Sequence, residues 1–338
     1  MKILVTGGLG YIGSHTVVEL QNQGFEVVII DNLSNASIEV LDGIEAITGK
    51  KPIFEKIDLR EKQKVQDFFK KHGDVEGVIH FAASKAVGES VEKPLLYYEN
   101  NIATLVYLLQ ELQKKESSSF IFSSSCTVYG QADQLPVSED APVKPAESPY
   151  GNTKQIGEEI ISDVCRVTPQ IKSIALRYFN PIGAHPSIEI GELPKGVPQN
   201  LVPFITQTGI GLRKQLAVFG ADYPTADGTC IRDYIHVVDL AKAHVVALQR
   251  SLNDRNEGNF EVFNLGTGKG SSVLEVIQSF ERVSGVKLNY EVVERRPGDV
   301  IRAYADTKKA NEILGWKAET TLDEAIKSAW DWEQKIRN

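Results

Sequence analysis

The sequence predicts an α/β protein built on a doubly wound parallel sheet. Short apolar runs rich in Val, Ile and Leu alternate with segments of helical periodicity along the first half of the 338-residue chain. A glycine-rich turn joins the first of these strands to the first helix. Strands separated by helices of this length are connected by crossovers, which make the strands parallel and cover both faces of the sheet. We therefore expect a Rossmann-type sheet, followed by a smaller α/β C-terminal substrate domain.

Composition narrows the class of protein. Apolar residues make up 42% of the chain and charged residues 24%, as in soluble globular proteins. The net charge of −8 argues against nucleic acid or an anionic membrane as a partner. No apolar run reaches the ~18 residues of a membrane span, and Met1 leads directly into a strand rather than a signal peptide. We expect a cytoplasmic protein with reduced thiols at Cys126, Cys165 and Cys230.

The turn after the first strand suits a bound dinucleotide. Ile3–Thr6 is apolar and β-branched, as in a strand buried on both faces, and helical periodicity follows over residues 14–23. Gly7, Gly10 and Gly13 lie between them. Glycines at this spacing permit a tight turn, close approach of the backbone to a pyrophosphate and close packing of helix on strand.

A carboxylate follows the second strand. Phe25–Ile30 is another apolar run, and Asp31 comes about twenty residues after the glycines. A carboxylate at this place can accept both ribose hydroxyls of the adenosine and repels a 2′-phosphate, which favours NAD over NADP. The alternative, that Asp31 only begins a turn, stays open at this point.

Alternation continues beyond this unit. Further strands are expected near residues 53–57, 78–81 and 120–122, and helices over residues 61–72 and 94–114. Because ligands of such sheets lie outside the carboxyl ends of the strands, Asp58, residues 81–85 and Ser123–Ser125 should lie together. Small side chains in the last two segments leave room for a flat cofactor.

The stretch Ser148–Lys154 predicts the chemistry. Ser148 can cap a helix and Pro149 suits its first turn, so Tyr150 and Lys154 lie four residues apart on one face. A free tyrosine with a pKa near ~10 is a poor base at neutral pH. An ammonium about 4 Å away favours the phenolate by roughly 4 kcal/mol, and an oxidised nicotinamide ring would add a second cation. The spacing alone is also that of an ordinary helix surface.

Together these residues resemble the extended short-chain dehydrogenase/reductase family, through the glycine turn, Asp31, a serine after the fifth strand and Tyr150-x-x-x-Lys154. More specifically, the chain resembles the UDP-galactose (UDP-glucose) 4-epimerase family. The motifs that carry this resemblance span nearly the whole chain, and they are Thr6–His15, Lys85–Ser90, Ser123–Gly130, Ser148–Gly151, Arg177–His185, Gly228–Val238 and Arg295–Asp299.

The resemblance implies one NAD per subunit, reused in every turnover. Tyr150, as phenolate, would take the proton of the sugar C4 hydroxyl, with Ser125 hydrogen-bonded in the same site. The C4 hydride would pass to nicotinamide and return to the other face of a 4-keto sugar, and Lys154 would bond the nicotinamide ribose. The implied cofactor contacts are Gly7, Gly10, Tyr11, Ile12, Gly13, Asp31, Asn32, Asn35, Asp58, Leu59, Phe81, Ala82, Lys85, Asn100, Ser123, Tyr150, Lys154 and Tyr178.

The composition changes beyond Asn180, where strict alternation fades and Pro and Gly become frequent. We predict an NAD-binding domain of residues 1–180, to which residues 236–264 return, and a UDP-sugar-binding domain of residues 181–338. The implied substrate contacts are Ser125, Tyr150, Asn180, Asn200, Leu201, Ala217, Val218, Phe219, Arg232, Val273, Arg296, Asp299 and Ala303. Two arginines suit a diphosphate through forked bonds, and an aromatic face suits uracil. Each arginine alone is more typical of a surface, and the matched motifs reverse that balance.

One position departs from part of the family. Members restricted to UDP-glucose and UDP-galactose carry a bulky tyrosine at the position that matches Ala303. A small residue opens space beside the hexose C2, so we expect UDP-N-acetylglucosamine and UDP-N-acetylgalactosamine to be substrates as well. The neighbouring Tyr304 could swing into that space.

Two other functions are alternatives for a sequence of this kind. A nucleotide-sugar 4,6-dehydratase or decarboxylase needs an acid or base beside the serine, where this chain has Cys126 and Thr127. An idle NAD-sensing regulator usually lacks the tyrosine or the lysine, and both are present. The histidines share no metal-ligand spacing, so no metal site is expected, and the resemblance implies a homodimer formed through the helices near residues 94–114 and 149–167.

Overall fold

The computed structural model describes residues 1–296 and 299–337. Its strands are β1 (Lys2–Thr6), β2 (Glu26–Asp31), β3 (Ile53–Lys56), β4 (Val75–His80), β5 (Ser118–Ser123), β6 (Ile171–Tyr178), β7 (Asn180–Ile182), β8 (Leu216–Phe219), β9 (Ile231–Arg232), β10 (Tyr234–His236), β11 (Phe260–Leu265), β12 (Ser271–Ser272), β13 (Tyr290–Val293) and β14 (Arg302–Ala303). Its helices are α1 (Tyr11–Asn22), α2 (Val40–Thr48), α3 (Lys62–Lys71), α4 (Val87–Glu92), α5 (Pro94–Tyr98), α6 (Thr104–Leu112), α7 (Pro149–Val167), α8 (Leu201–Gly209), α9 (Val237–Leu252), α10 (Val273–Ser284) and α11 (Leu322–Arg337). Short turns of other helical types cover Glu99–Ala103, Cys126–Tyr129 and Ala310–Leu314.

Within these described ranges, seven strands form one parallel sheet in the order β3-β2-β1-β4-β5-β6-β11. The strand order reverses between β1 and β4, so the connections leave this point in opposite directions and a crevice opens at the carboxyl ends of the strands. The predicted fold class, a doubly wound α/β sheet with a smaller C-terminal part, is confirmed.

Both faces of the sheet are covered, which explains why its strands are apolar throughout. Ile3 and Val5 of β1 face a core that includes residues of α1, α2 and α9. Leu4, between them, faces the opposite core with residues of α3, α6 and α7. Successive residues of a strand point to opposite faces, so both layers are held by the same few strands.

The C-terminal part has its own core and small sheets. The strands pair as β10 with β7, β9 with β12 and β14, and β8 with β13. Their core includes Phe280 of α10 and Trp330 of α11, whose rings meet edge to face at 5.2 Å. Helix α9 and strand β11 lie between these segments in the sequence, yet α9 packs on the large sheet and β11 pairs with β6.

Several elements differ from those expected. The helix predicted over residues 94–114 is interrupted, because α5 and α6 are separated by the π-helical turn Glu99–Ala103. Strand β6 was not predicted, since Lys172 and Ser173 interrupt its apolar run. Ser173 is nevertheless fully buried, because its hydroxyl donates to the Phe120 carbonyl at 2.8 Å. Strand β4 begins at Val75, three residues before the expected start.

Candidate active site

Helix α7 brings the predicted tyrosine and lysine to the carboxyl edge of the sheet. The Ser148 hydroxyl accepts a hydrogen bond from the Gly151 amide at 3.1 Å, and Pro149 occupies the first turn. This cap fixes where the helix begins. Tyr150 and Lys154 therefore point to the same side, and both are buried.

The end of β5 supplies three serines to this region. The backbone carbonyl of Ser123 accepts a hydrogen bond from Lys154 Nζ at 2.7 Å. The hydroxyl of Ser123 lies 2.8 Å from the hydroxyl of Tyr178. Ser125 follows in extended conformation, and its hydroxyl accepts from the Thr127 amide at 3.2 Å. The structure therefore brings all three predicted catalytic residues, Ser125, Tyr150 and Lys154, to one place.

The electrostatics differ from the expected arrangement in one respect. Lys154 Nζ lies 5.9 Å from the centroid of the Tyr150 ring. Burial raises the pKa of Tyr150 well above its ordinary value, while the nearby Ser125 hydroxyl favours the phenolate. Burial also lowers the pKa of Lys154 to about 8, against the charge of Glu158, which raises it. Ionisation of the phenol near neutral pH thus requires positive charge that offsets the effect of burial.

The glycine turn fits a dinucleotide. Gly7 has a φ of 68°, and a Cβ there would come within 2.8 Å of the Ala82 amide nitrogen. A Cβ on Gly13 would lie 2.3 Å from the Gly7 carbonyl oxygen. Helix α1 begins at Tyr11 without a side-chain cap from Gly10, so its first amides remain available to a phosphate. NAD would be held here through its pyrophosphate.

Asp31 lies beside this turn at the end of β2. Its carboxylate accepts hydrogen bonds from the amides of Leu9, at 3.3 Å, and Leu33, at 2.9 Å. Burial raises the pKa of Asp31, and these amide bonds oppose that shift. A carboxylate oxygen can accept more than one hydrogen bond, so both ribose hydroxyls can still be received.

Asp58, one of the predicted cofactor contacts, has a partner that the sequence did not reveal. Arg60 binds both carboxylate oxygens of Asp58 and lowers its pKa to about 2, while the Asn32 amide donates to the same group at 3.3 Å. These residues line a surface cavity of about 450 Å³. Asn35 is exposed on the adjoining loop, whereas Leu59 packs in the core, so only its backbone is available to a ligand.

The remaining cofactor positions surround the glycine turn and the π-helical turn. Phe81 and Ala82 directly follow β4, and Asn100 donates to the Ser84 hydroxyl at 3.1 Å. Lys85 is half exposed and lies 3.9 Å from the Glu192 carboxylate. Ile12 packs against the core, and the Tyr11 hydroxyl donates to the Gly183 carbonyl at 2.6 Å, which joins the turn to the following part of the chain.

Asn101 was missed by the sequence analysis. Its amide oxygen accepts from the Ser84 amide at 2.8 Å, and its nitrogen donates to the Thr153 hydroxyl at 3.0 Å. It lies in the π-helical turn, a type of irregularity that often occurs at functional sites. No local motif marks it, because the π-helical turn is visible only in the structure.

Both predicted substrate arginines lie against the carboxylate of Asp299. Asp299 lies 3.5 Å from Arg232 and 3.1 Å from Arg296, whose guanidinium group stacks 4.6 Å above the centroid of Phe219. Ala303 pairs with Arg232 through the short parallel strands β14 and β9. Ala217 is half-buried in β8, but the Val218 side chain is fully buried in the C-terminal core and only its backbone can meet a ligand.

The other substrate positions lie at element ends. Asn180 begins β7, Leu201 begins α8 and Val273 begins α10. Asn200 precedes α8 and donates to the Glu192 carboxylate at 2.7 Å.

Comparisons with known proteins agree with this geometry. A family model described as GDP-mannose 4,6 dehydratase matches residues 4–329. The UDP-glucose 4-epimerase of Bacillus subtilis (strain 168) is 49% identical over 338 residues, which is 100% of this chain and 98% of the relative. The chain belongs to the UDP-glucose 4-epimerase family.

Solved structures of this epimerase family superpose closely on the present chain. The Stenotrophomonas maltophila UDP-glucose 4-epimerase, with bound NAD and formylated UDP-arabinopyranose, is 45% identical with a TM-score of 0.95, covering 100% of this chain and 99% of its own. The Bifidobacterium longum UDP-glucose 4-epimerase, in complex with NAD+ and UDP, is 44% identical with a TM-score of 0.95 and the same coverage. NAD is thus bound in both of these relatives.

The dehydratase alternative predicts an acid or base directly after Ser125, where this chain has Cys126 and Thr127. Burial raises the pKa of the Cys126 thiol to about 12. The thiol therefore stays protonated at neutral pH. Within the two ranges that the structure describes, no cluster of His, Cys, Asp or Glu suits a metal ion, and no helix is long and apolar enough to cross a membrane.

Proposed function

We propose that this chain catalyses the reversible, NAD-dependent interconversion of UDP-glucose and UDP-galactose through a 4-keto intermediate. The observation that carries the proposal is the placement of Tyr150 and Lys154 at the buried start of α7, beside Ser125. Bound NAD supplies the acceptor for the C4 hydride and returns that hydride to the sugar.

Three side chains transfer the proton and hold the reacting groups. Tyr150 takes the proton of the C4 hydroxyl and gives it back after the sugar has turned over in the pocket. The Ser125 hydroxyl holds the same oxygen, and Lys154 holds the ribose of the nicotinamide half and adds positive charge. The buried phenol needs this charge, because burial raises the pKa of Tyr150. Exclusion of water strengthens each of these electrostatic effects.

The nucleotide half of the substrate is assigned to the C-terminal residues. Arg232 and Arg296 bind the diphosphate, and Phe219 offers its face to uracil. Both guanidinium groups already lie around Asp299, so they are oriented together before a ligand arrives. This arrangement supports a division in which residues 1–180 with 236–264 bind NAD and residues 181–338 bind the UDP-sugar.

The test is turnover by the purified protein. Incubated with UDP-galactose and no added NAD, it should produce UDP-glucose, whereas an NAD-sensing regulator would produce none. Tyr150→Phe should lower kcat by about 10²–10⁴-fold, the usual contribution of a positioned acid–base group. The matched change at the exposed Tyr290, Tyr290→Phe, should leave kcat unchanged.

We further propose that the N-acetylated UDP-hexoses are substrates. Ala303 is small and sits beside Arg232 in the strand register. The ring of Tyr304 rests on Gly270, where a Cβ would come within 3.1 Å of it. Neighbouring residues in an extended segment point to opposite sides, so this contact supports open space beside Ala303 rather than a tyrosine turned into it.

The substrate range is tested by activity ratios. Ala303→Tyr should lose turnover of UDP-N-acetylglucosamine before that of UDP-glucose, and the small replacement Ala303→Ser should keep both. If the purified wild-type protein turns over UDP-glucose and UDP-galactose but shows no turnover of the N-acetylated sugars, the broader substrate range is rejected while the epimerase proposal stands.

A homodimer is proposed through α5, α6 and α7 with the adjoining α4. Val91, Leu95 and Val167 expose large apolar side chains there, and Leu95 is 80% exposed. Leu95→Asp should give a monomer in sedimentation, and Leu212→Asp, which changes an exposed leucine in the C-terminal part, should not. A monomeric wild-type protein at micromolar concentration would exclude this assembly.

A further inference from the structure

A buried ion pair lies one turn below the catalytic lysine. Glu158 of α7 and Arg177 of β6 are both nearly inaccessible to solvent. Arg177 Nη2 donates to Glu158 Oε2 at 2.5 Å, and Nε donates to Oε1 at 3.0 Å. Burying two charges costs free energy that is recovered only with good geometry and further hydrogen bonds, so the surroundings of this pair are informative.

Arg177 is fixed on its other side as well. Its Nη1 donates to the Tyr129 hydroxyl at 2.9 Å, and that hydroxyl donates to Asn264 Oδ1 at 2.6 Å. The guanidinium plane also lies 4.8 Å from the centroid of the Tyr129 ring. Strands β6 and β11 and the turn after β5 therefore hold the arginine in one orientation.

Glu158 reaches the catalytic segment through Ser124. The fully buried Ser124 hydroxyl donates to Glu158 Oε1 at 2.5 Å. The Ser124 amide donates to the Phe122 carbonyl at 2.9 Å, so the chain turns at Ser123, and Ser124 is joined through its own peptide bonds to Ser123 and Ser125. Holding Ser124 therefore orients both neighbours, the Ser123 carbonyl that accepts from Lys154 and the Ser125 hydroxyl at the reacting site.

Glu158 also balances charge around Lys154. Tyr150, Lys154 and Glu158 follow one another at intervals of four residues and share one face of α7. The groups around Lys154 are Tyr150 and Glu158 from its own helix, His80 from β4, and Phe122 and Ser123 from β5. Arg177 and Tyr178 of β6 lie behind them, bonded to Glu158 and to the Ser123 hydroxyl. Burial keeps the pKa of His80 at about 3, so that ring is neutral, and Glu158 is the anion of this set.

We propose that Glu158, held in place by Arg177, is a positioning residue for the catalytic serine and lysine. It acts through Ser124 to set the Ser123–Ser125 segment, and through its charge to keep Lys154 as an ammonium ion. This inference rests on the proposed epimerase function and adds to it a residue pair that touches neither cofactor nor sugar.

Two variants separate the two effects. Ser124→Ala removes the hydrogen bond and leaves the ion pair, so kcat should fall about 10-fold with KM for UDP-galactose unchanged and the pH profile in place. Glu158→Gln keeps the shape and removes the charge. Lys154 then loses its facing anion and keeps the Arg177 cation, so the alkaline limb of kcat should move to lower pH by on the order of one unit.

The chain contains a matched control. Arg250 and Glu261 form a comparably buried pair, with Nη2 and Oε1 2.8 Å apart, and Glu261 lies on the edge strand β11, four strands away from β1 and its glycine turn. Glu261→Gln should lose stability without changing kcat or its pH profile. If Glu158→Gln fails to fold, the kcat of Ser124→Ala alone tests the positioning role of Glu158.

The outcomes are distinguishable. The role of Glu158 would be overturned, and the epimerase function kept, by the following set of results. The wild type turns over, Ser124→Ala keeps full kcat and, where it folds, Glu158→Gln keeps the wild-type pH profile. Equal effects of Glu158→Gln and Glu261→Gln on the pH profile would also overturn it. Absence of wild-type turnover would remove both this inference and the proposed function.

Discussion

Lys154 Nζ donates a 2.7 Å hydrogen bond to the Ser123 carbonyl oxygen and thereby fastens helix α7 to the end of strand β5. One residue thus joins the helix that carries the tyrosine to the strand that carries the serine. The ammonium is held in a buried setting, where its charge acts with little screening by water.

Lys154→Met should lower kcat by about 100-fold, with a smaller change in KM. The lysine charge favours the phenolate, so its loss raises the pKa of Tyr150 and moves the acid limb of the pH–kcat profile to higher pH. Steady-state kinetics between pH 6 and 10 measure both effects. An unmoved acid limb in a folded variant would contradict an electrostatic role for Lys154.

The helix cap of α7 should matter for activity as well as stability. Ser148→Ala removes the bond from the Gly151 amide and should cost about 1 kcal/mol of unfolding free energy, together with a loss of kcat, because Tyr150 lies in the first turn. Ser272→Ala removes the equivalent cap of α10, whose hydroxyl accepts from Glu275 at 3.0 Å, and should cost similar stability at unchanged kcat. Urea denaturation and initial rates on the two variants make the comparison.

Two adjacent arginines should behave differently. Arg296 pairs with Asp299 beside Arg232, whereas Arg295 pairs with Asp222 and lies over Tyr223. Arg296→Met should raise KM for UDP-galactose at least 10-fold, since a charged hydrogen bond to phosphate contributes about 1.5–3 kcal/mol. Arg295→Met should leave KM within twofold. Equal KM values for the two variants would argue against a diphosphate site at Asp299.

Asp31 should determine the affinity for NAD. Asp31→Ser removes the acceptor of the ribose hydroxyls and should weaken NAD binding by about 10–100-fold while weakening NADP binding less. Asp42→Asn, which changes an exposed carboxylate of α2, is the control. Calorimetric titration of NAD into protein freed of bound nucleotide gives the affinities, and equal losses for NAD and NADP would contradict the assignment.

Acid should destabilise the protein through buried histidines. Burial lowers the pKa of His15 and His80 to about 3 and of His244 to about 4, from an ordinary value of 6.5. Below pH 6.5 the unfolded chain binds protons that the folded chain excludes, so unfolding free energy falls as pH drops towards those folded-state values. Each histidine should account for about 2 kcal/mol between pH 7 and pH 5.

Urea denaturation at pH 7 and pH 5 measures this loss of stability. His244→Leu removes one titrating group, and His185→Asn, at a half-buried position, is the comparison. Between pH 7 and pH 5, His244→Leu should lose less unfolding free energy than either the wild type or His185→Asn. An equal pH dependence in wild type and His244→Leu would show that this ring is not excluded from protonation in the folded state.

Local sequence determined the parts of this protein that depend on backbone chemistry and periodicity. The glycine turn, the cap at Ser148 and the apolar strands are encoded within a few residues each, and the fold class follows from their alternation. The family resemblance predicts the site residues by their positions in matching motifs.

Tertiary structure decided what depends on residues far apart in the chain. Helical spacing predicts Lys154 on the same face as Tyr150, and only packing reveals the Ser123 carbonyl that accepts from its ammonium, 5.9 Å from the Tyr150 ring centroid. The Glu158–Arg177 pair, the binding of Asp58 by Arg60 and the place of Asn101 in a π-helical turn have no local signal. Charge and hydrogen bonding inside a folded chain depend on which side chains exclude water together, and that is set only when helices and strands pack.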